Sequence, residues 1–184
     1  AVVEACKETP STGTVLVYFA GHGAMVEKRN FVFLRTTKKA KTKTAGAVRG
    51  GNGKYQFTLA ALKDVPAGTG YSTSHGGVVE GERMLVGYIH KPRGTGSRMH
   101  THKNEQFNYV VRGTLVGSVN GRKVVAPAGT LIYIPANAPH TLVASADDED
   151  VIFIAIKDLS QGIIGKAVDG TMTGPHYEKG FAPD

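Results

Sequence analysis

Cysteine is almost missing. Cys6 is the single one in a chain of 184 residues, which excludes a disulfide framework and fits a reducing compartment. There is no basic-then-apolar leader with a small-residue cleavage site at the start, so a cytoplasmic location is expected. Long apolar runs are absent too. The longest, residues 151–156, is far below the roughly 20 residues of a membrane-spanning helix, and no membrane partner is expected. No helix-turn-helix pattern is present, which argues against a DNA-binding regulator. What is there is a chain with 41% hydrophobic residues, enough for one domain with a real core and too short for two of full size.

Acidic residues are scarce in one region only. The net charge of +7 is carried by residues 1–54, with ten Lys or Arg against three Glu, whereas residues 55–184 hold twelve of each sign. The excess centres on Lys28, Arg29, Arg35, Lys38, Lys39, Lys41 and Lys43, a stretch without the interleaved aromatics of a nucleic-acid platform. It reads as a solvated basic arm, and no nucleic-acid partner is expected.

Long helical periodicity is also lacking. Short β-rich segments stand at 15–20 and 31–34, separated by the turn Gly21-His22-Gly23, and a Lys-, Thr- and Gly-rich stretch covers 36–54. Further β-rich segments follow at 55–62, 77–79, 83–90, 107–111, 114–119, 123–125, 130–134, 141–144 and 151–156, with turns such as Asn120-Gly121 between them. This pattern predicts an all-β jelly-roll barrel or sandwich. The expected organisation is N-terminal strands and a basic arm over 1–54, a barrel over 55–160, and a C-terminal tail over 161–184. The tail is expected to pack along the outside or to reach a neighbouring subunit. The exposed strand edges of a short jelly roll make a homodimer the expected assembly.

The chemistry concentrates in the segment 94–113, rich in β-formers with turn residues at both ends, and in a later histidine, His140. Side chains alternate along a strand, so His100, His102 and Gln106 are expected on one face and Thr101, Glu105 and Phe107 on the other. A β-bulge after His102 would instead bring Glu105 inward as the rival donor. Neutral imidazoles and an amide oxygen carry no anion, so a bound divalent ion would keep its full charge and a high Lewis acidity. A nitrogen-rich donor set suits transition metals better than Mg or Ca.

The spacing resembles the two metal-binding motifs of the cupin family. The first is Gly94, five residues, His100-Thr101-His102, three residues, Gln106, six residues, Gly113; the second runs from Gly129 through Pro135 and Pro139 to His140, after a fifteen-residue gap. The resemblance implies a cupin jelly-roll β-barrel (double-stranded β-helix) with extra N-terminal strands. It also implies one divalent transition metal on His100, His102, Gln106 and His140, with Gln106 standing where Glu is usual. Asn137 stands where Gly is usual and Ala144 where the pattern ends in Asn. Asn tolerates a left-handed conformation better than other non-glycine residues, so the turn should survive. Similarity to three-histidine cupin dioxygenases implies a mononuclear non-haem dioxygenase. Fe(II) is then favoured, with Zn, Ni, Mn or Cu as alternatives, and the substrate is a small organic molecule that chelates through two oxygens. Gln-containing relatives imply instead a Lewis-acid isomerase or decarboxylase. The third reading is a non-catalytic cupin that binds a small-molecule ligand.

A local likeness of residues 13–34 to the histidine-bearing strand of caspase-like peptidases leads nowhere, because that family needs a cysteine downstream of the histidine and none follows His22. Around the expected metal, strand parity sends Arg98 inward, where its guanidinium could hold a carboxylate or enolate. Tyr88, His90, Asn108 and Tyr133 complete the expected substrate-binding set, with Met84, Val86, Val110, Val116, Leu142 and Phe153 as the apolar remainder. The catalytic residues are not assigned, and His22, His75 and His176 are given no role.

Overall fold

The computed structural model describes residues 44–159, 165–170 and 174–184. The strands expected at 15–20 and 31–34, the basic residues Lys28 to Lys43 and the peptidase-like segment lie outside the described residues.

Among the described residues fourteen strands follow in chain order: β1 (Val48–Arg49), β2 (Val65–Pro66), β3 (His75–Glu80), β4 (Met84–Lys91), β5 (Thr95–Gly96), β6 (His100–Thr101), β7 (Gln106–Arg112), β8 (Thr114–Val119), β9 (Arg122–Pro127), β10 (Leu131–Ile134), β11 (His140–Ala144), β12 (Val151–Asp158), β13 (Lys166–Ala167) and β14 (His176–Tyr177). They form two seven-stranded sheets. One has the order β1-β3-β4-β12-β7-β10 with β2 on β3; the other has β13-β6-β11-β5-β14 with β8 joining β11 to β9. β1 runs parallel to β3, and the other ladders are antiparallel. Among the described residues no α-helix occurs, and the one helical turn is the 3-10 turn Leu59–Ala61. This is the all-β jelly roll that the strand pattern predicts.

Register decides which side chains enter the barrel. Ala155 of β12 pairs with Gly87 of β4 on one side and with Asn108 of β7 on the other, and paired residues share a face. The inward set is therefore odd-numbered in β4 and β12 but even-numbered in β7. Leu85, Ile89, Val110, Phe153 and Ala155 form the core from this sheet, with Ile132 and Ile134 of β10; Leu115, Leu142 and Ala144 meet them from the other.

Two segments differ from the sequence expectation, and the tail takes the first of the two courses expected of it. Residues 55–62 do not form a strand; they lead through the 3-10 turn, none of whose residues is buried. A strand exists only by pairing, and β3, which they flank, already carries β4 on one edge and β1 and β2 along the other. The segment 94–113 is not one strand but three, with β5 and β6 pairing to β11 in one sheet and β7 to β12 in the other. The tail folds back on its own barrel: Ala167 pairs with His100 and Tyr177 with Thr95. There Phe181 covers Gly94, whose φ is +67° and where a Cβ would fall 2.2 Å from the ring, so only glycine fits.

Candidate metal centre

His140 opens β11 and pairs across the ladder with His100, which opens β6. His102 follows just beyond β6, in a loop tied at both ends. Its backbone carbonyl accepts the Asn137 N–H (2.8 Å), and Asn104 Nδ2 donates to the Asp158 carbonyl (2.7 Å). Asn137 holds φ +61°, so the turn survives the replacement of glycine, as expected. The result is a cluster: ligand atoms of His100, His102 and His140 lie within 4.8 Å of one another, all three residues buried.

Each ring is oriented from behind. His100 Nδ1 meets the Arg98 carbonyl at 2.7 Å, His102 Nδ1 the Asn104 carbonyl at 2.8 Å, and His140 Nδ1 the Ala138 carbonyl at 2.9 Å. A carbonyl only accepts, so each Nδ1 carries the proton and each Nε2 presents a lone pair, the arrangement by which histidines are held for metals. His102 Nε2 is buried with no hydrogen-bond partner. An unmet buried acceptor costs about 1–3 kcal/mol, and a cation at the convergence of the lone pairs removes that cost. The donor set fits a transition metal.

Burial holds the rings neutral. It lowers His100 to about 2, helped by the neighbouring His140, and lowers His102 and His140 to about 4, with the Lys157 ammonium pushing the same way. A consequence follows for the metal-free protein. Above about pH 6.5 the rings are neutral in the folded and unfolded states alike, and stability is fully present. Below it the unfolded chain takes up protons that the folded site refuses, so stability falls as pH falls towards about 4. Each ring contributes up to about 1.4 kcal/mol per pH unit. Melting curves of chelator-treated protein should show Tm dropping steeply across this window; a flat profile there would mean that the rings charge freely.

A cavity of about 160 Å³ opens beside the cluster, lined by His100 and His140, Gln106 and Asn108 of β7, Lys91 of β4, Lys157 of β12, and apolar side chains including Leu85, Ile89, Ile134, Leu142 and Phe153. Gln106 faces inward because the register of β7 turns its even-numbered residues into the barrel. Its Nε2 donates to Asn108 Oδ1 (2.7 Å), which leaves the amide oxygen as its free end. Glu105 is exposed and hydrogen-bonds Tyr133, holding that hydroxyl above its usual value; no bulge brings the carboxylate inward.

Of the expected substrate-binding residues, only Asn108 lines the cavity. Tyr88 and His90 sit on the outer face of β4, where His90 stacks on His75 at 5.7 Å, because register makes the inward set of β4 odd-numbered. Tyr133 is 48% exposed and packs on Phe107 at 5.0 Å, outward from the inward Ile132 and Ile134. Arg98 ion-pairs with Asp169 on the outside. Between Gly96 and His100 the chain leaves regular strand, with the Arg98 N–H donating to the Tyr71 carbonyl (2.9 Å), so alternation no longer predicts its direction. Among the expected apolar residues, Leu142 and Phe153 line the cavity and Val110 is core, whereas Met84 is exposed and Val116 faces the outer pocket beside Arg98.

Sequence reasoning passed over three residues. Tyr71 packs on His100 at 4.4 Å, and burial pushes its hydroxyl up. Lys91 and Lys157 both open on the cavity; burial lowers Lys91 to about 7 and Lys157 to about 8. The signal for both lysines was present in the sequence, as a cation at an inward position of each apolar strand, but it could be used only with the register.

Residues 87–157 match the family model for a cupin domain, a stretch that runs from β4 to β12 and contains all four expected ligands; this segment is a cupin domain. Among curated proteins no sequence matches significantly. Similar solved structures include a cupin-like protein from Thermotoga maritima, 22% identical over 49% of this chain and 67% of that one, with a TM-score of 0.42. An RmlC-like cupin with a double-stranded β-helix fold from Methanocaldococcus jannaschii is 17% identical over 42% of this chain and 71% of that one, with a TM-score of 0.39. A DMSP lyase from Ruegeria pomeroyi is 13% identical over 50% of this chain and 46% of that one, with a TM-score of 0.45. Among the described residues no helix is long and apolar enough to cross a membrane.

Proposed function

We propose that this is a metal-dependent cupin enzyme that oxygenates a small organic molecule chelating through two oxygens, a mononuclear non-haem dioxygenase using Fe(II). The observation that carries the reading is the convergence of His100, His102 and His140 with their Nδ1 atoms tied back to carbonyls. Gln106, held by Asn108, is the fourth donor. When bound, the metal would supply a Lewis acid for an oxygen-chelating molecule and the redox chemistry of oxygenation. The protein orients the rings, closes the site with the apolar walls of β4, β10 and β12, and presents Asn108 to the bound molecule. The all-neutral donor set also favours a second reading, a Lewis-acid isomerase or decarboxylase, since it leaves the ion its full charge. The outward strip of Tyr109, Val111, Leu131 and Tyr133 supports a homodimer, and the lone Cys6 a cytoplasmic setting.

The test is elemental analysis of protein purified without added metal, followed by oxygen-uptake assays of the iron-loaded protein with small chelating acids and diketones. Iron with oxygen consumption is the expected result. Conversion without oxygen uptake would select the Lewis-acid reading, and ligand binding without any conversion would leave a binding module. Gln106→Ala should weaken metal binding by about tenfold or more, while Glu105→Ala leaves it unchanged; the reverse order would move the fourth donor to Glu105.

A further inference from the structure

The cavity is positive without any metal. Lys91, at the inward end of β4, is 3% exposed, and its Nζ donates to the Leu142 carbonyl at 2.6 Å, one bond for three available protons. Lys157, inward near the end of β12, opens on the same cavity. Its amine makes no hydrogen bond among the described residues, and its charged neighbour is Asp158, next along the strand. Among the described residues no Asp or Glu lines the cavity. Keeping one buried and one half-buried amine with neither a carboxylate nor a full set of acceptors is costly, and each sits on an inward position of a largely apolar strand. A fold that keeps cations there keeps them for something that enters.

The space beside the histidines is small. The cavity, about 160 Å³ and open on one side, is comparable with the roughly 150 Å³ that encloses benzene, so the part of an occupant it holds is about six to eight non-hydrogen atoms. An anion suits it best, since a divalent ion on the histidines would add to the charge of Lys157 and of protonated Lys91, and among the described residues no protein anion lines the cavity to face them.

We propose that Lys91 and Lys157 form a carboxylate subsite, and that the molecule taken by this centre is a small oxo- or dicarboxylic acid whose carboxylate rests on the two amines while its second oxygen group faces the three histidines. The orientation towards the histidines rests on the metal reading above; the carboxylate subsite does not. Arg98, which sequence parity sends to this task, is engaged outside by Asp169, and the two lysines stand in its place.

The experiment titrates malonate and, as an uncharged probe of the same size, malonamide into zinc-loaded and chelator-treated protein by calorimetry. Metal content and Tm are measured beside each titration, for the parent, Lys91→Met and Lys157→Met. Malonate should bind and malonamide should not, and each substitution should weaken malonate by about ten- to a hundredfold with zinc content unchanged. Because Met replaces a poorly partnered amine with an apolar chain of similar shape, Tm should hold or rise; a lysine with a merely structural role would lower it. Equal malonate affinity in parent and variants, or equal binding of malonate and malonamide, would overturn the proposal. If the parent takes up no zinc, the metal reading fails, and the chelator-treated titrations still decide the lysine subsite by the same comparison. Should Lys91→Met lose its fold with the Leu142 contact, Lys157→Met, whose amine anchors no hydrogen bond, gives the answer alone.

Discussion

His140→Ala is expected to abolish metal retention while leaving a folded barrel. The ring is 2% exposed, its centroid lies 4.0 Å from that of His100 and 4.7 Å from that of His102, and Ala138 fixes its direction through Nδ1. Loss of an outer partner that merely orients a ligand lowers metal affinity by about 10–100-fold, so loss of the ligand itself should exceed about a hundredfold. The fold should survive, because β11 keeps its ladders to β8 and β5 through Thr141, Leu142, Val143 and Ala144, none of which needs the imidazole. The measurement is metal content after gel filtration, with circular dichroism as the check on folding. His176→Ala serves as the control: that ring is on the surface beside Glu178, away from the cluster, and its loss should leave metal content alone. Full metal in His140→Ala would show that the ion sits elsewhere.

The histidine cluster was legible in the sequence because most of its information is local. His100-Thr101-His102 fixes two rings within one turn of chain, and Asn137 is one of the few residues able to replace glycine at φ +61°. The cavity walls were not legible in the same way. Parity along one strand says which residues share a face, but it does not say which face is inside; that comes from pairing with a distant strand. The alignment of Asn108 with Ala155 and Gly87 turns Ile89 and Lys91 inward and Tyr88 and His90 outward, and no pattern within 84–91 contains that fact. Arg98 failed for a different reason. Where Ser97 bonds the Leu142 backbone through its own side chain (3.2 Å), the strand rhythm stops, and counting by twos across such a gap carries no information. The segment 55–62 has strand-like composition but flanks β3, whose edges already carry β4 on one side and β1 and β2 on the other, so propensity yielded to topology.

The same register predicts the largest stability effect outside the metal site, at Ile134 of β10. Its side chain is fully buried, belongs to the main core and forms part of the cavity wall, whereas its neighbour Tyr133 is 48% exposed on the other face. Ile134→Ala removes three carbons from a packed position and should cost about 2–5 kcal/mol, a fall in Tm of about 5–15 °C for a domain of this size. Tyr133→Ala loses a partly solvated ring and the contact to Phe107 at 5.0 Å, and should cost no more than about 1 kcal/mol. Differential scanning calorimetry of both variants in the metal-free state makes the comparison, since bound metal would add its own stabilisation to each. β10 pairs with β7 through Tyr133 with Phe107 and Ile134 with Gln106, so the residue that packs the wall also places the strand carrying the fourth expected ligand. If Tyr133→Ala proved the costlier change, β10 would be one residue out of this register, Leu131 would turn inward in place of Ile132, and Gln106 would lose the neighbour that lines the cavity beside it.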